Sequence, residues 1–229
     1  MTLKRLHAFA LSFLFLLQIS TAHAELSIQI TQGIDNPIPI AIVPFSWEGS
    51  GVLSEDVAAI VSSDLQQVGE FRALSPSNML AMPREEREVY YRDWSVLAQD
   101  YLLVGKVQRS PGSQLISVQY EFFDINREIK LAGEVLTGTE AQLRDIGHEI
   151  SNVVFELVTG NRGAFTTQIL YVVSDYVSPE LSYFRLEKAD YDGRRAQVLL
   201  ESREPIMSPS WSPNGLDIAY VSFETDLPR

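Results

Sequence analysis

Histidine 148 is the side chain whose chemistry has to be weighed first. The sequence has three histidines, at positions 7, 23 and 148. The first two lie in an N-terminal segment with the pattern of a secretion signal. His148-Glu149 matches the opening of the zinc-helix pattern, in which a second histidine four positions on shares the same helix face. That position holds Asn152. The pair is incomplete, and His148 reads as a solvated histidine on the flank of a helix. The chain has no cysteine, which removes disulfides, thiol nucleophiles and thiolate metal ligands. No Gly-x-Ser-x-Gly elbow offers a serine nucleophile. No glycine loop carries a lysine and a hydroxyl residue at phosphate-binding spacing. Glu85-Glu86 is a carboxylate pair, but Arg84 and Arg87 flank it, and it reads as an exposed helix face. The expectation is no catalytic residue, no metal ligand and no cofactor: a binding protein rather than an enzyme.

The elements that would position a binding surface begin after a signal peptide. Lys4 and Arg5 form a basic start, Ala8 to Leu17 an apolar run, and Ala22-His23-Ala24 a small-residue cleavage site. Residues 1–24 therefore read as a secretory signal removed after Ala24. The apolar run is short of the roughly 20 residues that span a bilayer. Removing Lys4 and Arg5 from the 18 basic residues leaves 16 against 30 acidic ones, a net charge of −14. Such a chain is repelled by nucleic acid and anionic membranes and favours partners with basic patches. The 45% hydrophobic content supports a globular core.

Leu26, Ile28 and Ile30 alternate with Ser27, Gln29 and Thr31, a period of two that predicts an extended segment with one apolar face. Gly33, Asn36, Pro37 and Pro39 then interrupt regular structure. Ile40 to Phe45 reads as a buried strand. Ser54 to Val68 reads as a helix capped by Ser54 and stopped by Gly69. Phe71 to Leu74 reads as a short strand, and a helix is expected between Arg84 and Gln99. Tyr101 to Gln108, Leu115 to Phe123 and Glu128 to Leu136 predict a three-stranded meander. Glu140 to Thr159 predicts a helix opened by a Thr139/Gln142 capping box and ended by Gly160. Mixed strands and helices imply an α/β domain. After Gly163 only strand patterns remain: Gln168 to Ser174, Leu181 to Lys188, Gln197 to Leu200 and Asp217 to Phe223. Asp192-Gly193 and Asn214-Gly215 are hairpin turn signals. Ile169-Leu170-Tyr171-Val172 is similar to Ile218-Ala219-Tyr220-Val221, an offset of 49 residues, close to one four-stranded propeller blade.

The stretch Ser208-Pro209-Ser210-Trp211-Ser212-Pro213-Asn214-Gly215-Leu216-Asp217-Ile218-Ala219-Tyr220-Val221 resembles the blade signature of TolB-type propellers. That signature also fits propellers attached to some serine peptidases. Pro39 to Phe45 resembles the first buried strand of the TolB family. Gly163 to Val172 resembles its domain junction, and Asp190-Tyr191-Asp192-Gly193 its first blade turn.

The resemblance implies an α/β N-terminal domain with a mixed sheet at residues 25–162, followed by the start of an all-β propeller at residues 163–229. The propeller is expected to be truncated in the first to second blade. It also implies a periplasmic component of the Tol-Pal system. Such a component links TolA at the inner membrane to the lipoprotein Pal at the outer membrane, and supports outer-membrane integrity and cell division. The TolA-binding segment carried over from the family is Glu25, Leu26, Ser27, Ile28, Gln29, Ile30, Thr31, Gln32, Gly33, Ile34, Asp35 and Asn36. Pal would be bound through the propeller. The alternative is the N-terminal part of a secreted peptidase or hydrolase that carries a propeller.

Overall fold

The structure is a computed structural model that describes residues 36–109, 112–178 and 181–224. The signal segment 1–24 and positions 25–35 of the expected TolA-binding segment lie outside the described residues. Asn36 is described, at an exposed bend that leads into the first strand.

Six strands make one mixed sheet. These are β1 (Ile38–Ile42), β2 (Ser46–Glu48), β3 (Phe71–Ala73), β4 (Tyr101–Arg109), β5 (Ile116–Asp124) and β6 (Ile129–Gly138). The order is β3-β1-β4-β5-β6, with β2 also paired to β4. β1 runs parallel to β3 and β4, and β4, β5 and β6 form the antiparallel meander. Helices α1 (Val57–Gln67) and α3 (Leu143–Thr159) cover one face. Ile40, Ile42, Val61, Leu65, Leu103, Val118, Phe122, Ile150 and Val154 fill the layer between them. The other face packs Ala41, Val43, Leu102, Val104 and Phe123 against Trp94 of the short helix α2 (Tyr91–Val96). Strand β1 is buried on both faces, which is why its sequence is a continuous apolar run rather than an alternating one.

Three details differ from the sequence expectations. Helix α1 starts later, at Val57, and Asp56 caps it in place of Ser54: its carboxylate accepts the Ala59 N–H at 3.1 Å. The segment from Arg84 to Gln99 is a 3-10 turn at Glu86–Glu88 followed by six helical residues. Ala98, with φ of +53°, stops the helix there, and Met79, Val89, Tyr91 and Leu97 pack with Trp94 against the second sheet face. Glu85 and Glu86 are not a helix face. Glu85 pairs with Lys106 of β4, and Glu86 with Lys130 of β6 at 2.5 Å.

Beyond α3 the described residues are all strand and turn. β7 (Gln168–Ser178), β8 (Leu181–Asp190) and β9 (Gln197–Ser202) form an antiparallel three-stranded sheet. β10 (Ile206–Trp211) and β11 (Ile218–Ser222) form a hairpin. Gly193 and Gly215 take the left-handed conformation that the two hairpin signals require. β7 extends beyond the expected Ser174, and β10 carries the Trp211 end of the blade signature. The chain is thus an α/β domain with a mixed sheet followed by the start of a propeller. No helix among the described residues is long and apolar enough to cross a membrane.

Candidate functional site

A buried polar cluster lies where α1 and α3 meet the turn between β8 and β9. Gly147 makes the approach of the two helices possible: a β-carbon there would come within 2.8 Å of Ile60 Cγ2. Asp64, one turn beyond Ile60 on α1, faces His148, the residue after Gly147, and Ser151, one turn beyond Gly147 on α3. Asp64, His148 and Ser151 are 1%, 2% and 0% exposed. A buried carboxylate needs several donors, and Asp64 has three. Its Oδ2 accepts from His148 Nδ1 at 2.8 Å and from the Ser151 hydroxyl at 2.6 Å. Its Oδ1 accepts from the Tyr191 hydroxyl at 2.6 Å. Tyr191 sits edge-on to the imidazole, with ring centroids 5.4 Å apart, and edge-on to Phe165 at 5.3 Å. Burial and the Asp64 carboxylate push the Tyr191 hydroxyl well above the ordinary tyrosine range.

A second set of ion pairs surrounds this one. Arg144, one turn before His148 on α3, is buried and pairs with Asp192. It also lies 3.6 Å from both Glu55 and Asp190. Arg195 bridges Asp190, at 2.7 Å, and Asp145 at the start of α3. Hydrogen bonds donated to both carboxylates, Asp145 first, hold the Arg195 guanidinium above its already high ordinary range. The turn that sends β8 into β9 is therefore tied to both helices by charge and by Tyr191.

The sequence reading of His148 as solvated is wrong. Its ring lies under the β8–β9 turn, because the helix face it occupies is covered from outside the α/β domain. Nothing local to α3 could reveal this. Asp64 and Ser151 carry no signal of their own, and Tyr191 and Asp192 were legible only as part of a turn.

Serine, histidine and aspartate meet here, but not as a nucleophile-activating triad. In such a triad the histidine takes the serine proton. Here the Ser151 hydroxyl donates to Asp64, and Ser151 is sealed from solvent. The arrangement fastens elements together and offers no serine to a substrate. As for the sequence-predicted TolA segment, the structure places only Asn36, far from any side chain of this cluster in sequence and bonded to none of it.

Known proteins similar to this chain match both of its parts. A family model described as the TolB amino-terminal domain matches residues 26–131, and one described as the TolB beta propeller domain matches residues 155–229. The chain is 43% identical over 215 residues to the Tol-Pal system protein TolB of Hahella chejuensis, a match covering 94% of this chain and 50% of that protein. It is 42% identical over 228 residues to the Tol-Pal system protein TolB of Pseudomonas aeruginosa, covering 51% of that protein. The crystal structure of TolB from Acinetobacter baumannii superposes with a TM-score of 0.75 at 31% identity, over 87% of this chain and 47% of that one. The chain spans about half the length of the curated relatives it matches.

Proposed function

The chain belongs to the TolB family, and on that premise we propose that it is a non-enzymatic interaction protein of the Tol-Pal system that links TolA to Pal in the periplasm. The observation that carries this reading is the match of both family models, in the family's order, along one chain. The cluster at the helix–turn junction supports a non-enzymatic role: its serine and tyrosine hydroxyls both donate to the Asp64 carboxylate, and Ser151 is buried. In this reading residues 1–24 are the signal peptide, 25–162 the amino-terminal domain and 163–229 the first part of the propeller. The links to outer-membrane integrity and cell division follow from the Tol-Pal assignment.

TolA contacts belong to residues 25–36. The alternation of Leu26, Ile28 and Ile30 suits a strand that adds to an exposed sheet edge of its partner. Main-chain hydrogen bonds would supply affinity and the apolar face specificity. Gly33 and the Asn36-Pro37 step let the segment move without disturbing β1. Deletion of Glu25 to Gln32 abolishes binding of the TolA C-terminal domain in a calorimetric titration, while circular dichroism shows residues 40–160 still folded. Ile28→Asp weakens binding by placing a charge on the apolar face. Undiminished affinity in the deletion variant would put the contact elsewhere.

A further inference from the structure

We infer that β2 and the loop after it form a docking site for a basic, extended segment of a partner protein, separate from residues 25–36. Strand β2 pairs with β4 alone, so its other edge carries no strand among the described residues. The same strand puts Trp47 on a cavity of about 290 Å³, whose apolar lining is Phe45, Trp47, Val52, Leu53, Val57 and Val107. Val57 and Val107 are buried. Phe45, Trp47 and Leu53 are only partly buried on the core, and Val52 is 93% exposed. Exposed apolar residues scattered singly are ordinary. Here they converge on one opening. The aromatic wall is also fixed in advance, which lowers the cost of binding. The Trp47 indole N–H donates to the Gly51 carbonyl at 3.0 Å, and a β-carbon at Gly49 would run into the indole ring.

Charge selects the occupant. Glu55 and Asp56 line the same cavity, and Glu48 ends β2 with its side chain exposed. The cation at the indole, Arg109, lies 5.6 Å from the ring centroid and is already paired with Glu140 at 2.9 Å. Glu55 faces Arg144 at 3.6 Å, but Arg144 is shared with Asp190 and Asp192. The opening therefore keeps a negative excess. A second copy of this acidic chain would bring like charge to it. Residues 25–36 would do the same, since they contain Glu25 and Asp35 and no base. A basic segment is drawn in where both of these are repelled. An extended one suits every part of the site. Its main chain adds to the open edge of β2, one apolar side chain enters the cavity as an anchor, and flanking lysines or arginines reach Glu48, Glu55 and Asp56.

The test titrates the ¹⁵N-labelled full chain with the synthetic peptide acetyl-Lys-Leu-Lys-Phe-Lys-Leu-Lys-amide, and with an acidic counterpart in which glutamate replaces each lysine. The chain has three tryptophans, and the indole N–H signal of Trp47 is assigned by its loss in Trp47→Phe. The basic peptide should shift that signal and leave the signal of buried Trp94 in place. The acidic peptide should shift neither. In calorimetry, Val52→Ser should weaken binding of the basic peptide about tenfold and Glu48→Gln about threefold. Val96→Ser, at an exposed position on α2, should leave it unchanged. A Trp47 signal that the basic peptide does not move overturns the inference. So does one that moves on deletion of Glu25 to Gln32, or on dilution of the protein alone, because the cavity then holds the chain's own segment or a second copy. The TolA titration of that deletion variant reads a different surface, so either reading can fail alone. Should Trp47→Phe fail to fold, Val52→Ser decides: undiminished affinity there overturns the site.

Discussion

Tyr191 shows most directly what one residue does at the junction. Its hydroxyl is one of three donors to a carboxylate that is 1% exposed, and hydrogen bonds to charged groups are worth about 1.5–3 kcal/mol. Tyr191→Phe keeps the ring against Phe165 and His148 and removes only that donor. Urea denaturation should show a loss of about 2 kcal/mol. The pH dependence has a fixed sign. The folded hydroxyl titrates above its unfolded value of about 10. Its contribution is therefore complete below about pH 10 and lost as the pH rises toward the folded value. The stability gap between wild type and Tyr191→Phe should be flat up to about pH 10 and narrow above it. A gap that widens there would mean the folded hydroxyl ionises readily. Tyr120 of β5 is pushed up to about 12 by burial, but it is common to both proteins and cancels in the difference.

At the scale of elements, close packing of α1 on α3 decides whether the cluster forms. Glycine inside a helix ordinarily costs about 1 kcal/mol relative to alanine, so Gly147→Ala would stabilise an isolated α3. In the protein the new methyl meets Ile60 Cγ2 at 2.8 Å, and overpacking costs about 1–3 kcal/mol. The expected result is a net loss of about 1 kcal/mol, with Ile60→Ala costing less in the Gly147→Ala background than alone, as a double-mutant cycle would show. Thr139 belongs to the opposite class: the capping box that opens the 3-10 turn Glu140–Gln142 leading into α3, with the Gln142 side chain accepting the Thr139 N–H at 2.9 Å, was readable from spacing alone. Thr139→Ala should cost about 1 kcal/mol in thermal or chemical unfolding. The contrast explains what the sequence could disclose. The meander, both long helices, the Gly160 stop and both hairpin turns follow from local periods and turn chemistry, so they were legible. The Arg84–Gln99 region disclosed a helix but not its bounds, because α2 is only six residues long and puts just Tyr91 and Trp94, with Leu97 after it, on the second sheet face. The junction was illegible for a different reason. Tyr191 and Asp64 are 127 positions apart, and neither changes the pattern of its own element.

For the whole molecule, the question is what makes residues 36–224 behave as one body when their sheets are separate. The described residues fall within a single compact unit, Ile34–Arg229, although β1–β6 share no strand pairing with β7–β11. Phe165 and Tyr191 join the apolar layer of the α/β domain, and Arg144 supplies the central charge. Arg144 is 8% exposed and faces Glu55, Asp190 and Asp192 at once. Arg144→Met preserves most of the stem volume and removes the guanidinium, leaving Asp190 and Asp192 short of a partner inside a low-dielectric junction. Breaking a buried pair from one side costs about 3–5 kcal/mol, and here Arg195 still holds Asp190, so the lower end applies. The loss should fall on the coupling rather than on either sheet, because no strand pairing involves Arg144. Arg162 offers a direct readout. It is exposed in the connection between α3 and β7, but a protease must open that connection to cut it, and Phe165 just beyond is buried. Trypsin should therefore cleave after Arg162 slowly in the wild type and much faster in Arg144→Met, releasing an intact α/β domain. Arg185→Met, which breaks pairs with Asp175 and Glu187 within the β7–β8 sheet only, should leave that cleavage rate unchanged. Equal rates in wild type and Arg144→Met would assign the coupling to Phe165 and Tyr191 alone.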